Sequence, residues 1–380
     1  SQVGPAPRDP GPVGSQVGPA RRPRRSLPAG TVLVAAGTFL LTLAVMLPLY
    51  VHDQVALLPA EAEYELSLTD EEASYLDTST WTWVEDSEVE QHTAVDATAS
   101  GSDWSAWEMT VDTSAPDRMV DHRSRRVIVD RSTARAVNCC GEHVHGDRAV
   151  RQAGLVHHFP PGGGADSYPF YDAEVRSAPS MELQEEDEAA GVPVRRYTQA
   201  VEATQVPGSA RDVPAALFSP AGSGTVTATR WLELTRTLWV EPVSGTVVNM
   251  QETRVETLRS QDGDDAVPLL EADLTLADAQ VEGYAEQARV QSVLLRTLDT
   301  WAPWTLAPLG ALALAAGLLR ARSRRAQEHR DTGAGKTAGS DPEEGTEADP
   351  GGVPQDRSAE HGSGAVSYTH LRAHETDSYL

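Results

Sequence analysis

Lysine is almost missing from this chain. Of its 31 basic residues only Lys336 is a lysine, a bias toward arginine that fits a GC-rich coding sequence. Positive charge is scarce in total, because 56 acidic residues leave a net charge of -25. That balance excludes a protein that grips nucleic acid over its whole surface, since phosphate recognition needs concentrated positive charge. Cysteine is equally scarce: there are two, and they are adjacent, Cys139 and Cys140. No HExxH, paired CxxC, GxSxG, P-loop or dinucleotide fingerprint occurs, so neither a catalytic centre nor a cofactor site is expected and the chain is not read as an enzyme. A length of 380 residues alone would suit two or three domains.

Uncharged runs are also few, and the two that exist fix the plan. Residues 31 to 50 (TVLVAAGTFLLTLAVMLPLY) and 301 to 319 (WAPWTLAPLGALALAAGLL) carry no charged side chain. At about 1.5 Å per residue each is long enough to cross a hydrocarbon core. Two other identities compete, a buried core helix for either run and a signal peptide cleaved after Ala60 or Ala62 for the first. The first run exceeds the usual length of a signal-peptide apolar region. Arg21, Arg22, Arg24 and Arg25 precede the first run, and Arg320, Arg322, Arg324 and Arg325 follow the second. Positive residues stay cytoplasmic, which puts both termini inside and residues 52–300 outside. Tyr50, Trp301 and Trp304 then fall at the outer interface, where amphipathic rings favour the headgroup region. In the spans, Thr31, Thr38 and Thr42 share one face, Ala311 with Ala315 and Ala313 with Gly317 form small-xxx-small pairs suited to pairing of the two spans, and Pro308 predicts a kink.

The organisation read from these signals is a disordered cytoplasmic N-terminus (1–28), a first transmembrane helix (29–51), a β-rich extracytoplasmic domain (52–276), a juxtamembrane stalk helix (277–300), a second transmembrane helix (301–319) and a disordered cytoplasmic tail (320–365). Residues 1–28 are rich in Pro, Gly and Arg and contain the direct repeat SQVGPA, a composition that buries too little apolar surface to order itself. The chain does not begin with Met, and the expectation is that it starts upstream or is a fragment. Residues 366–380 are read as adapter-derived sequence, and their histidines are left out of any site.

Residues 52–300 hold 44 acidic residues against 18 arginines, a net of 18 − 44 = −26, so the charge imbalance belongs to the exported domain. The fold class expected there is mainly β, an antiparallel sandwich or barrel-like domain held between two transmembrane helices. A hairpin is predicted from Arg126–Asp130 through Arg131–Ala134 to Arg135–Val137, and a second from Arg236–Val240 through Glu241–Gly245 to Thr246–Met250, with Pro242 and Gly245 as turn residues. Thr80–Val84 and Thr225–Thr229 read as further short strands, and Pro161–Gly164 as a turn. Near the end, Val281, Tyr284, Ala288, Val290, Val293, Leu294 and Leu298 recur at helical spacing and predict the stalk.

Few residues offer chemistry. Outside the membrane a disulfide is expected, which makes Cys139–Cys140 a structural vicinal bridge, with free or intermolecularly bridged thiols and redox or metal use as the alternatives. His143 and His145 are weak metal candidates, with Asp147, His157 and His158 near in sequence; ordinary surface histidines outweigh them. Glu185–Glu188 and Asp262–Asp265 are acidic runs expected on solvated loops.

Several motifs in order carry a family resemblance: Val137-Asn138-Cys139-Cys140-Gly141-Glu142, Phe159-Pro160, Tyr168-Pro169-Phe170-Tyr171-Asp172, and Arg236-Thr237-Leu238-Trp239-Val240-Glu241-Pro242 with Gly245. Over residues 28–322 the chain resembles the actinobacterial PorA-type porin family, two-span proteins with a large extracytoplasmic domain. The resemblance implies a cell-envelope protein and channel formation. An outer-membrane barrel needs strands of about ten residues with a continuous apolar outer band, and charges such as Asp130, Arg135, Glu233 and Arg236 interrupt one here. Conduction is therefore expected only from an oligomer, whose acidic domain would favour cations. The alternative is a non-conducting envelope module. The partners expected are the lipid bilayer, further copies of the chain, and an envelope lipid, wall polymer or protein, with no nucleic acid.

Overall fold

The computed structural model describes residues 28–61, 63–261 and 265–334, with side chains to residue 327. The predicted N-terminal tail with Arg21, Arg22, Arg24 and Arg25, the acidic residues Asp262 and Asp264, and residues from 335 onward, including the segment 366–380, lie outside the described residues. The chain forms one unit up to Ser323; from Arg324 the described residues are the helical end of the last element.

The first helix, α1 (Ala29–Met46), continues through a π-helical turn at Leu47–Val51 into α2 (His52–Val55). At the other end α3 (Asp278–Arg296) passes through a second π-helical turn, Thr297–Trp301, into α4 (Ala302–Ala334). Both helical stretches are long and apolar enough to cross a membrane. Exposed Phe39, Leu49, Leu312 and Leu319 are what a lipid-facing surface requires. The spans approach each other through glycines. A Cβ on Gly37 would lie 2.5 Å from the Leu314 backbone nitrogen, and one on Gly317 would lie 2.8 Å from Val34. Gly30 faces Gly317 and Gly37 faces Gly310, so the close approach uses a seven-residue glycine spacing on each helix. Of the expected alanine and glycine pairs only Gly317 takes part in these glycine contacts. Thr38 and Thr42 instead bond back to the carbonyls of Val34 and Thr38 within their own helix.

Between the helices lies one twelve-stranded antiparallel sheet. Its strands are β1 (Glu63–Asp77), β2 (Thr82–Ser100), β3 (Trp104–Ala115), β4 (Arg118–Asp130), β5 (His143–Val144), β6 (Ser167–Pro169), β7 (Ser180–Ala189), β8 (Val192–Gln205), β9 (Arg211–Pro214), β10 (Thr225–Val240), β11 (Val247–Ser260) and β12 (Ala266–Leu276). The order is β5-β4-β3-β2-β1-β12-β11-β10-β8-β7-β6, with β9 on β10. β1 pairs with β12, so the first and last strands of the domain meet near the middle of the sheet. The sheet's two ends are joined by single bridges, Val129 to Ala136, Arg135 to Leu155 and Leu155 to Phe170. This completes a ring of backbone pairings, and the domain is barrel-like. Trp107 on β3, Tyr197 on β8 and Leu238 on β10 consequently share one buried cluster although they stand far apart in strand order.

The strands are longer than the short segments expected; β2 runs for 19 residues and β10 for 16. Both predicted hairpins form. Asp130 ends β4 and its carboxylate accepts from the backbone N–H groups of Ser132 and Thr133, after which Ala136 bridges back to Val129. The Glu241–Gly245 turn joins β10 to β11. The alternation at Thr80–Val84 is misleading: Trp81 has φ of +59° and closes the β1–β2 turn, so the strand starts at Thr82. α3 is more than a stalk. Ala285, Ala288, Ser292 and Leu295 are buried, Ala285 and Ala288 against Val192, Val194 and Val248, whereas Val290, Val293 and Leu294 are exposed. Small residues form the packed stripe because the helix lies close on the strands.

Candidate functional site

Two features occupy the interior. The first is an ion network built on β4, β10, β11 and the segment before β7. Along β11 the inward positions are Glu252, Arg254 and Glu256, at 1 %, 2 % and 4 % exposure, while Thr253 and Val255 face outward. The period of a strand sets this, since alternate residues share a face. Arg254 donates to Glu174 and Glu256 at 2.7 Å each and to Glu252 at 3.4 Å. Arg236 holds Glu252 at 2.6 Å and Asp172 at 3.2 Å. Arg230 holds Glu174 at 2.7 Å, Glu256 at 3.1 Å and Asp121 at 3.4 Å, and Arg123 also pairs with Glu174. Burial alone would raise the pKa of Glu174. The guanidinium groups of Arg123, Arg254 and Arg230 outweigh it and hold the carboxyl well below its usual range.

The second feature is a cavity of about 480 Å³ at the end of the domain that carries the helices. Its walls include Val55, Leu57 and Leu58 beyond the first span, Leu294 and Leu295 just before the second, and Tyr64, His157, His158, Thr246 and Met250 from the domain. Val55 and Leu294 are exposed, at 42 % and 47 %. The cavity therefore begins where the two candidate spans end. Tyr64 stacks on His157 with ring centroids 4.7 Å apart, and His158 meets Tyr64 and Trp107 edge-on. Burial pushes His157 well below the ordinary imidazole value and His158 down to about 4, so both rings are neutral near pH 7.

A smaller cavity of about 100 Å³ adjoins the first, sharing Leu66, His157 and Met250 as lining and reaching Arg125, Tyr171, Asp172, Arg236 and Glu252. A third, of about 670 Å³, opens among hairpin tips at Ser79, Met119 and Gly208 and shares His145 and Glu174 with the second. The three adjoin one another through the barrel interior, with Glu174 and its partners between the second and third.

The chain matches the family Porin PorA over residues 29–319. It belongs to that family. A Porin PorA of Corynebacterium resistens is 22 % identical over 276 residues, which covers 55 % of this chain and 67 % of that relative. The matched region contains the first candidate span, most of the second and every strand.

The residues singled out from the PorA-type sequence are placed as follows. Cys139 and Cys140 carry no disulfide in this structure, Cys139 half-buried and Cys140 exposed. Cys140 has φ of +65° and Gly141 +92°, so the turn is formed by backbone conformation. A hydrogen bond with Cys140, together with burial, pushes the Cys139 thiol up to about 11. His143 and His145 do not stand side by side on a strand, because His145 is left-handed at φ +52° and β5 ends at Val144. His143 lies 4.0 Å from Glu108, His145 lines the inner cavities, and among the described residues no three metal-binding side chains gather. Glu185–Glu188 sit on strand β7 rather than a loop, with Glu185 2.7 Å from Arg196 across the ladder. Arg320, Arg322, Arg324 and Arg325 are exposed on α4. Arg125, Arg254 and Glu174 were not singled out from the sequence, and His157 and His158, expected as surface histidines, are half-buried in the cavity wall. The Glu-x-Arg-x-Glu alternation at 252, 254 and 256 was the available signal, since it puts three charges on one strand face.

Proposed function

We propose that this Porin PorA family member is an envelope protein anchored by both spans, with its termini cytoplasmic, whose barrel-like domain binds an apolar chain in the 480 Å³ cavity. The observation that carries this reading is the cavity's position. Its lining runs from Val55 and Leu294, at the ends of the two apolar helices, through Leu57, Leu58, Leu66, Val247 and Leu276, with Glu61, Glu63, Gln287 and Gln291 as polar members, so a chain leaving the outer leaflet meets a mostly apolar path. The Arg clusters flanking the spans support the orientation. No catalytic role is assigned.

The test is binding of a fluorescent hexadecanol to the delipidated full chain in detergent. Saturable binding is expected, with loss in Leu57→Trp, which fills the cavity. Binding that is absent, or unchanged in a folded Leu57→Trp protein, refutes the reading.

The name of the family favours a second reading, a channel. Arg254 and its carboxylates are buried inside the barrel between the cavities, and on the channel reading conduction is a property of an oligomer. Planar-bilayer recording on size-selected monomer and oligomer separates the two: cation-selective steps from the oligomer alone support the channel.

A further inference from the structure

The inner end of the cavity holds polar groups that the fold leaves unused. Arg125 points from β4 into the small adjoining cavity. Its Nη1 has no solvent contact and no hydrogen-bond partner, and its Nη2 reaches only the Val156 carbonyl at 3.5 Å. Among the described residues no carboxylate forms an ion pair with it. Asp172 is nearby but engaged: one oxygen pairs with Arg236 and the other accepts from the backbone N–H groups of Glu174 and Val175. The phenol hydroxyls of Tyr64 and Tyr171 are also buried without a partner, and both lie within electrostatic reach of the Arg125 guanidinium. Tyr64 lines the large cavity and Tyr171 the small one.

Buried donors normally have acceptors. A guanidinium and two phenols are three donors, and a neutral His157 adds no charge to compensate them. The carboxylates that line the small cavity, Asp172, Glu174 and Glu252, are engaged by Arg236, Arg230 and Arg254, so what Arg125 lacks is an acceptor oxygen of its own, and a group supplying it must be small to fit about 100 Å³. It must also arrive through the apolar cavity.

We propose that the site takes a long-chain carboxylate, its chain along the apolar walls and its head on Arg125, Tyr64 and Tyr171. This rests on the cavity being an apolar-chain site. A carboxylate suits the guanidinium fork, which binds two oxygens in one plane. A diacyl phospholipid has a head larger than about 100 Å³ admits.

The test compares labelled hexadecanoate with hexadecanol bearing the same label, using the delipidated full chain in detergent at neutral pH. The unmodified protein is expected to prefer the carboxylate by about tenfold or more. Arg125→Gln should bring hexadecanoate down to the level of hexadecanol and leave hexadecanol unchanged; Tyr171→Phe should reduce the preference in part. Equal binding of the two by the unmodified protein overturns the head-group assignment and leaves the cavity reading standing, whereas binding of neither overturns both. Stronger competition by phosphatidylglycerol vesicles than by hexadecanoate overturns the carboxylate. Should Arg125→Gln fail to fold, the comparison on the unmodified protein and on Tyr171→Phe decides.

Discussion

Arg254 is the residue on which the interior turns. It is 2 % exposed and touches three carboxylates, each of which has a second guanidinium partner. A buried network of this kind contributes little over a well-packed apolar core, yet breaking it by removing one partner leaves charge stranded in low dielectric. Arg254→Met should therefore cost about 3–5 kcal/mol of folding stability, read from urea denaturation followed by tryptophan fluorescence. Acid acts on the same interior in two stages. The unfolded imidazole titrates near about pH 6.5, but folded His158 titrates only at about 4. The unfolded chain thus takes up the proton first, and stability falls as the pH drops from about 6.5 to about 4. Glu174 has a depressed pKa, so its contribution is present above the unfolded carboxylate value and is lost as the pH falls below it. His158→Phe should reduce the slope of the upper part of a melting-temperature profile, with His157 supplying the remainder, and leave the steeper acid limb.

At the scale of elements, the β10–β11 turn shows why a motif has its residues. Glu241 accepts from the backbone N–H groups of Val243 and Ser244, and the Gly245 carbonyl accepts from Phe159. Gly245 has φ of +74°, and a Cβ there would lie 2.1 Å from the Phe159 carbonyl oxygen. The Glu241-Pro242 and Gly245 pattern and the distant Phe159-Pro160 pattern are two sides of one contact. Gly245→Ala should destabilise the domain by more than about 1 kcal/mol, with protease sensitivity rising at this turn. The helical pair behaves likewise. Gly37→Leu drives a side chain into the Leu314 backbone and should separate the spans, lowering the melting temperature in detergent, whereas Ala311→Leu, outside the glycine contacts, should shift it far less. The strands and the stalk were legible because period-two and helical patterns leave marks in sequence. The inward face of β11 was not, because Val255 suggests the opposite face from Arg254 unless the partners Glu174 and Arg230 are known.

For the whole molecule, the acidic surplus and the buried arginines have separate roles. Most acidic residues remain on the surface, and in the interior Arg123, Arg230, Arg236 and Arg254 pair with Asp121, Asp172, Glu174, Glu252 and Glu256. With that network buried between the inner cavities, size-selected monomer should stay silent in a planar bilayer at neutral pH. Steady current from monomer would require a path past the network and would overturn the oligomer-only expectation.

The amino-acid sequence by itself determined the plan: two apolar runs, a β-rich acidic domain between them and the family motifs. Those properties are local or compositional, since hydropathy, alternation and turn residues act over a few positions. Tertiary structure alone decided that the sheet closes on itself, that glycines rather than alanines join the spans, and that His157, His158 and Arg125 line a cavity instead of a surface. Each of these depends on which distant segments meet, and a residue's charge state and burial follow from those neighbours rather than from its own position in the chain.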